Sequence, residues 1–202
     1  MEKGEKRIIY IGLVVIFISL LIFIYHKNWE FVWYIISIFI IWTPLFIIFT
    51  ENIKNKKEIL LWLLVLIILH QIGGFVMIHE TRLYDSVILP IFSGPYDELE
   101  ILKFDQLVHI IGGGVIALIM FRAFENEKRL KTKFDYAYFY SLIIITSLGI
   151  STIHEMMEFI SYFLGDTGVG FYFNTLLDYY SNLIGIVFTT TILTIKKMKH
   201  EK

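Results

Sequence analysis

The sequence predicts an all-α membrane protein, a polytopic transmembrane bundle of six helices with both termini on the cytoplasmic side. Hydrophobic residues make up 56% of the 202 residues and charged residues only 18%, against roughly half and a quarter in soluble domains. The hydrophobic residues also form runs long enough to cross a bilayer, for which a helix needs about 20 residues. We therefore expect a single membrane domain over residues 1–202.

Six apolar runs predict the transmembrane spans. In chain order they cover about residues 8–25, 31–49, 59–78, 104–121, 137–163 and 173–195. The first follows a basic start, but it is longer than a signal-peptide core and no A-x-A-like cleavage site follows, so we interpret it as an uncleaved helix. Pro44 lies inside the second, where neighbouring helices can satisfy the carbonyl that proline leaves free. These two spans carry no ionisable residue at depth and are expected to be packing helices.

Basic residues lie in alternating loops, which predicts the orientation. Of the 18 Lys and Arg residues, all but three lie in the N-terminus, the loops 51–58 and 122–136, and the C-terminal tail. The exceptions are Lys27, Arg82 and Lys103. Under the positive-inside rule the basic loops are cytoplasmic, so the long acidic loop 79–103 is external. We expect a multi-pass protein of the plasma membrane, in a prokaryote.

Three of the last four spans carry an i,i+4 pair of polar residues, and each pair projects from one side of its helix. The pairs are Asp105 and His109, His154 and Glu158, and Asp178 and Asn182. At about 1.5 Å per residue, members of these pairs and His70 of the third span lie roughly 7 to 13 Å inside the outer ends of their helices. We expect them to form one polar pocket that is open to the outside. Glycines one turn further on would let the helices approach closely beneath it; they are Gly73-Gly74, Gly112-Gly113 and Gly185.

The buried carboxylates need a charge partner. Each costs about 2.5–3.5 kcal/mol at a helix centre, yet no Lys or Arg lies within the last four spans between their ends. Protonation, pairing with His, a water-filled cavity or a bound cation could compensate them. Because the chain has no Cys, a metal would be held by His nitrogen and carboxylate oxygen, a set that suits zinc and similar divalent ions.

The site assignments follow from this chemistry. The predicted metal ligands are His109, His154, Glu158 and Asp178. Glu155 and Asp105 are the candidate catalytic residues, and His70 and Asn182 are expected to support the ligands by orienting them. The expected cofactor is a divalent metal such as zinc, which could activate water. The alternative is a hydrogen-bonded network that only joins the helices.

Three classes of function remain open, and with them the question of whether the protein is an enzyme. The first is a metal-dependent enzyme acting on lipid or envelope precursors. The second is a proton- or ion-coupled transporter of small solutes, and the third is a structural or accessory protein with a polar core. The expected partners are membrane lipids and a lipid or lipid-linked substrate. No nucleic-acid partner is expected, and the oligomeric state stays open.

Several motifs combine in a recognisable order. They are His79-Glu80, the run from Tyr84 to Phe92, Asp105-Gln106-Leu107-Val108-His109, and His154-Glu155-Met156-Met157-Glu158-Phe159 followed by Asp178 and Asn182. In this combination, over about residues 59–195, the chain resembles the YjdF-type family of uncharacterised inner-membrane proteins. More distantly, Asp-x-x-x-His, then Glu, then Asp-x-x-x-Asn-x-x-Gly is similar to the VanZ-like proteins, which are linked to glycopeptide resistance. The resemblance implies a fold and a position for the polar motifs, and no activity. The family tends to have a second acid one turn before Asp178, where this chain has Asn174.

Overall fold

The protein is a bundle of long helices with one short hairpin. The structure, a computed structural model, describes residues 2–53, 55–89, 102–125, 132–162 and 172–200. Its elements are α1 (Lys3–Tyr25), α2 (Trp29–Ser37), a π-helical segment (Ile38–Trp42), α3 (Thr43–Thr50), α4 (Lys57–Phe75), β1 (Met77–Ile78), β2 (Thr81–Arg82), a 3-10 turn (Leu83–Asp85), α5 (Phe104–Glu125), α6 (Lys133–Tyr162) and α7 (Tyr172–His200). In these parts of the chain, six helical segments are long and apolar enough to cross a membrane. The predicted six-span helical fold is confirmed, while the orientation of its termini stays a prediction.

The second span, Trp29–Thr50, consists of α2, the π-helical segment and α3. Pro44 has no N–H to donate to the carbonyl of Ile40, and its ring crowds that carbonyl. Just before it, the helix widens, so that the backbone N–H and the side-chain hydroxyl of Thr43 both donate to the Ile38 carbonyl. None of the five π-helical residues is buried. The span is therefore irregular and loosely packed at its middle, and the local backbone itself accommodates the proline.

Helices α5 and α7 approach each other closely. A Cβ atom added at Gly185 would collide with the carbonyl oxygen of Ile110, and one added at Gly113 would collide with the backbone of Asn182. The backbones are in contact at positions that only glycine allows. The expectation of close approach is confirmed for these two glycines, whereas a Cβ at Gly112 would make only an ordinary side-chain contact.

Two apolar clusters stabilise the rest of the bundle. One surrounds Phe121 at the end of α5 and Phe139 in α6, whose ring centroids are 5.3 Å apart. The other joins α1, α2 and α4 around Phe23 and Phe31. Because lipid tails are as apolar as these side chains, dispersion packing rather than exclusion of water stabilises such contacts within a bilayer. Asp105 lies at the opposite end of α5 from Phe121, so polar and apolar layers are separated along that helix.

Residues 76–89 fold back onto the helix ends, where β1 and β2 pair as an antiparallel hairpin. Arg82 Nη1 lies 2.8 Å from Glu30 Oε2, and Arg82 Nε lies 3.2 Å from Asp85 Oδ2. Since Glu30 is buried at the start of α2, this ion cluster ties the hairpin to the second span. Burial raises the pKa of the Asp85 carboxyl, while the Arg82 guanidinium opposes that rise. The remainder of the predicted acidic loop, residues 90–101, lies outside the described residues.

We expect Gly185→Ala to destabilise the bundle, because the new methyl group would overlap the Ile110 carbonyl and push α7 away from α5. Overpacking of this kind costs about 1–3 kcal/mol, which should lower the melting temperature in detergent by roughly 2–12 °C. Gly149→Ala is the matched control, since no atom lies within 4 Å of a Cβ at that position. Equal melting temperatures for the two variants would contradict the close contact.

A second prediction concerns the ion cluster of the hairpin. Arg82→Gln leaves the Glu30 carboxylate, whose side chain is 4% exposed, without its cation, and removing one partner of a buried pair costs about 3–5 kcal/mol. Faster hydrogen exchange of the hairpin amides and a lower melting temperature should both follow. For comparison, Arg122→Gln removes pairs with Glu58 and Glu125, which are 54% and 27% exposed, and each surface pair should contribute less than about 1 kcal/mol. Similar losses in the two variants would argue against a buried ion cluster.

Candidate metal centre

Seven polar residues of α5, α6 and α7 converge in what we call the polar cluster. They are Asp105, His109, His154, Glu155, Glu158, Asp178 and Asn182. The i,i+4 spacing aligns the residues within each helix, and the close approach of α5 and α7 brings the helices together. All four predicted metal ligands are members. Six of the seven are buried, whereas the side chain of His154 is 27% exposed.

The Nε2 atom of His109 lies at the centre of the polar cluster. It is 3.2 Å from Asp105 Oδ1, 3.7 Å from Glu158 Oε1 and 4.0 Å from Asp178 Oδ1. Carboxylates from three different helices therefore converge on one nitrogen. On the other side, His154 Nε2 lies 3.3 Å from the same Glu158 oxygen, so a second imidazole reaches the same point.

These contacts have the spacing of ligands around an ion. Asp105 Oδ1 and His109 Nε2 are buried 3.2 Å apart, yet neither makes a hydrogen bond with any described residue. Two ligands at about 2.1 Å from a tetrahedral zinc ion lie roughly 3.4 Å from each other, which falls among the distances to His109 Nε2. Among the described residues, no Lys or Arg forms an ion pair with the cluster. A divalent cation would compensate the carboxylates.

Three groups of residues each place one ligand atom per residue within 4.8 Å of the others. The groups are His109 with His154 and Glu158, Asp105 with His109 and Asp178, and Glu155 with Glu158 and Asp178. This buried set of His, Asp and Glu could hold a metal ion. The predicted ligands and both candidate catalytic residues belong to these groups, while the division of roles among them stays a prediction.

The other nitrogen of His109 faces a carboxylate and an amide. Its Nδ1 lies 3.4 Å from Glu155 Oε1 and 3.2 Å from Asn182 Nδ2, and Asn182 Nδ2 donates to the same Glu155 oxygen at 2.8 Å. If Nε2 binds a metal, Nδ1 carries the proton and is placed to donate it to Glu155. Histidine ligands are oriented in this way by a second carboxylate. The predicted supporting role of Asn182 has a geometric basis, and Glu155 lies where it can share that role.

Two amide side chains without a predicted role hold the carboxylates in place. Asn174 Nδ2 donates to Asp178 Oδ2 at 2.7 Å and to Asp105 Oδ2 at 3.2 Å. Gln106 Nε2 donates to Asp178 Oδ1 at 3.2 Å. The signal for Asn174 was its i,i+4 spacing to Asp178, where it donates hydrogen bonds that a second acid could not. Gln106 gave no comparable signal beyond its position next to Asp105.

The second span also borders the polar cluster. The ring of Trp42, the last π-helical residue, lies 5.5 Å from the ring of His154 at 66°. Earlier in the same span, Trp33 Nε1 donates to the carbonyl of Met157 in α6 at 3.2 Å. We expected this span to be a packing or lipid-facing helix because it carries no ionisable residue at depth. Aromatic side chains rather than charges connect it to the site.

His70 lies outside the polar cluster. Its ring packs among those of Phe31, Tyr34 and Tyr84, at centroid distances of 5.0, 5.1 and 5.5 Å. It belongs to none of the three groups of candidate ligands. The structure thus places His70 in an aromatic environment and does not bring it into contact with His109.

Tyr84, in the 3-10 turn, lies between that aromatic environment and the cluster. Its ring occupies the space left by Gly73, where an added Cβ would be 2.8 Å from Tyr84 Cδ2. Its hydroxyl is buried and interacts with the Asp105 carboxylate. We expected Gly73 to let helices approach; it admits this tyrosine from the hairpin segment and also the Phe104 ring of α5, 3.1 Å from an added Cβ.

Comparison with known proteins gives one match. A family model matches residues 7–199, and its family is described as "Predicted membrane protein (DUF2238)". The chain belongs to this family. Neither the comparison with curated proteins nor that with solved structures gives a match. Membership in DUF2238 confirms a membrane protein over nearly the whole chain, and because the family's description names no activity, the function has to be argued from the site.

In metal-free protein, we expect Glu158→Gln to raise the melting temperature, by roughly 2–4 °C, because it removes one of several carboxylates packed around His109. Residues kept for a ligand often destabilise the empty site. Glu58→Gln, which changes a half-exposed carboxylate paired with Arg122, is the control and should have little effect. A lower melting temperature for Glu158→Gln would instead indicate a network that serves stability alone.

Proposed function

We propose that the protein is a membrane-embedded, metal-dependent enzyme that acts on lipid or lipid-linked envelope precursors. One observation carries the proposal: three carboxylate oxygens from three helices lie within 4.0 Å of His109 Nε2, with no ion-paired Lys or Arg among the described residues around them. A bound divalent cation such as zinc would fit the distances between these ligand atoms and would compensate the charge of the carboxylates.

Each member of the cluster then has a role. The proposed ligands are His109, His154, Glu158 and Asp178. When bound there, such an ion would act as a Lewis acid and would activate water for hydrolysis. The proposed proton acceptor is Glu155, because its Oε2 is buried, has no hydrogen-bond partner among the described residues, and belongs to a ligand group with Glu158 and Asp178. Asp105 would act beside it, held through its second oxygen by Asn174.

The proposed location is the plasma membrane of a prokaryotic cell, with both termini in the cytoplasm. The alternation of basic loops supports this orientation. It places the start of α5 and the end of α6 on the outer side, and with them the polar cluster. We also propose that the family corresponds to the YjdF-type proteins and is distantly related to the VanZ-like proteins, on the basis of the motifs around Asp105, His154 and Asp178.

A purely structural role is less well supported. Networks that only join helices satisfy their buried polar atoms, because an unpaired buried group costs about 1–3 kcal/mol. In the part of the chain that the structure describes, His154 Nδ1 and Glu155 Oε2 are buried without a hydrogen-bond partner, while Asp105 Oδ1 and His109 Nε2 contact each other at 3.2 Å. Unsatisfied atoms beside this contact favour a bound ligand over a structural network.

A proton-coupled transporter is the second candidate. Ser147 and Ser151 continue the buried face of α6 away from Glu155, and their hydroxyls have no hydrogen-bond partner among the described residues. On the same face, however, Ile143 and Phe139 are fully buried in the apolar cluster at the far end. A polar path would have to pass these side chains, so we rank transport second.

Metal analysis tests the proposal. Purified wild type should carry about one divalent ion per chain. His109→Ala and Glu158→Ala should lose it, because a site from which one ligand is removed loses most of its affinity for the metal. His26→Ala, at an exposed helix end, controls for adventitious binding to histidine. If several wild-type preparations contain no stoichiometric metal, the metalloenzyme proposal is wrong, and proton flux in proteoliposomes becomes the next measurement.

A further inference from the structure

We infer that the substrate reaches the polar cluster sideways from the bilayer, between the second span and α6. This route, which we call the lateral window, is bordered by the π-helical segment Ile38–Trp42 and by residues 153–157 of α6. The inference rests on the proposed function, since it specifies how a lipid-borne substrate meets the site. It also makes Trp42 a residue that determines which molecules enter.

The burial of the cluster points to this direction. Asp105, His109, Glu158 and Asp178 have side chains that are 0–5% exposed, whereas that of His154 is 27% exposed. Ile153, one residue before it, is 37% exposed on the adjoining face of α6. The one predicted ligand with an exposed edge therefore lies beside an exposed apolar side chain.

The two ends of the cluster are closed by the described residues. At the end near the hairpin, Tyr84 is 2% exposed and is held there by the ion cluster of Arg82. At the other end, Phe121, Phe139 and Ile143 are buried together in the apolar cluster. Neither end offers the exposure found at His154.

The second span is loosely packed at this height. The bond from Trp33 to the Met157 carbonyl holds α2 against α6 on one side of the lateral window. Beyond it the helix widens into the π-helical segment, where no residue is buried. π-bulges inside α-helices occur frequently at functional sites. Trp42 lies at the end of this segment with its ring against His154, so movement of one side chain would uncover the imidazole.

The walls of the window define the chemistry of what enters. Phe39 and Ile40 are 50% and 66% exposed on one side, and Ile153 is 37% exposed on the other. A molecule that contacts these walls must carry a hydrocarbon chain, and one that reaches His154 must carry a polar group. The substrate is therefore a membrane-resident amphiphile whose chain stays in the bilayer while its head enters past Trp42.

The absence of cysteine from the sequence allows a direct test in proteoliposomes. Single cysteines are placed along α6 by Ser151→Cys, His154→Cys and Met156→Cys, at native positions that range from buried to lipid-exposed. A long-chain N-alkyl maleimide dissolved in the bilayer should label position 154 within about fivefold of the rate at position 156, and position 151 far more slowly, since labelling follows exposure. A charged thiol reagent added to the water should not label position 154.

Trp42→Ala supplies the second arm. Added to His154→Cys, it should raise labelling from the bilayer by about threefold or more, because it exposes the position, while Trp62→Ala on α4 should leave the rate unchanged. If His154→Cys does not fold, Trp42→Cys reports on the opposite border with the polar cluster intact, and the bilayer reagent should label it faster than the aqueous one.

Two results would overturn the inference: faster labelling of position 154 by the aqueous reagent, or no effect of Trp42→Ala on labelling from the bilayer. Neither result depends on a metal. If the protein carries no metal but position 154 is labelled from the bilayer, the proposed metal chemistry is wrong and the lateral window stands. If the protein carries metal but position 154 is labelled from the water, only the lateral window is wrong.

Discussion

The convergence of carboxylates on His109 is the constraint on which the rest of the bundle depends. Several acids are buried where charge is costly, and no ion-paired Lys or Arg compensates them in the part of the chain that the structure describes. Imidazole, protons or an ion can supply the compensation. Each of these acts over a few ångströms, which requires α5 and α7 to lie in backbone contact. Gly113 and Gly185 permit this contact between the two backbones. Two residues without a functional side chain therefore determine whether the polar cluster can form.

Much of this arrangement could be predicted from the sequence because two simple rules apply. Hydropathy over about 20 residues identifies spans, and the i,i+4 rule aligns Asp105 with His109 and Asp178 with Asn182 on single faces. Depth in the membrane then brings these faces to one level. For α5, α6 and α7 the polar face also fixes the rotation of the helix, because acids cannot face lipid.

The sequence does not determine how α4 and the second span are rotated about their helix axes. His70 lies at the same depth as the polar cluster, yet its ring can pack among aromatic neighbours. Depth alone therefore could not show whether the His70 side chain points into the cluster or away from it. Tyr84 and Trp42 border the cluster, but tyrosine and tryptophan are also ordinary packing and interface residues in membrane proteins. Their contacts depend on a hairpin and a π turn, and neither has a reliable sequence signature.

Local irregularity and chemical function coincide in this protein. A sequence that specifies one structure satisfies its buried polar atoms and keeps its helices regular, and departures from both rules are expected where function requires them. The polar cluster breaks the first rule at Asp105 and His109, and the segment before Pro44 breaks the second. The two departures are in contact through the rings of Trp42 and His154. If the π turn were only a response to proline, its last residue would have no reason to cover the most exposed candidate ligand.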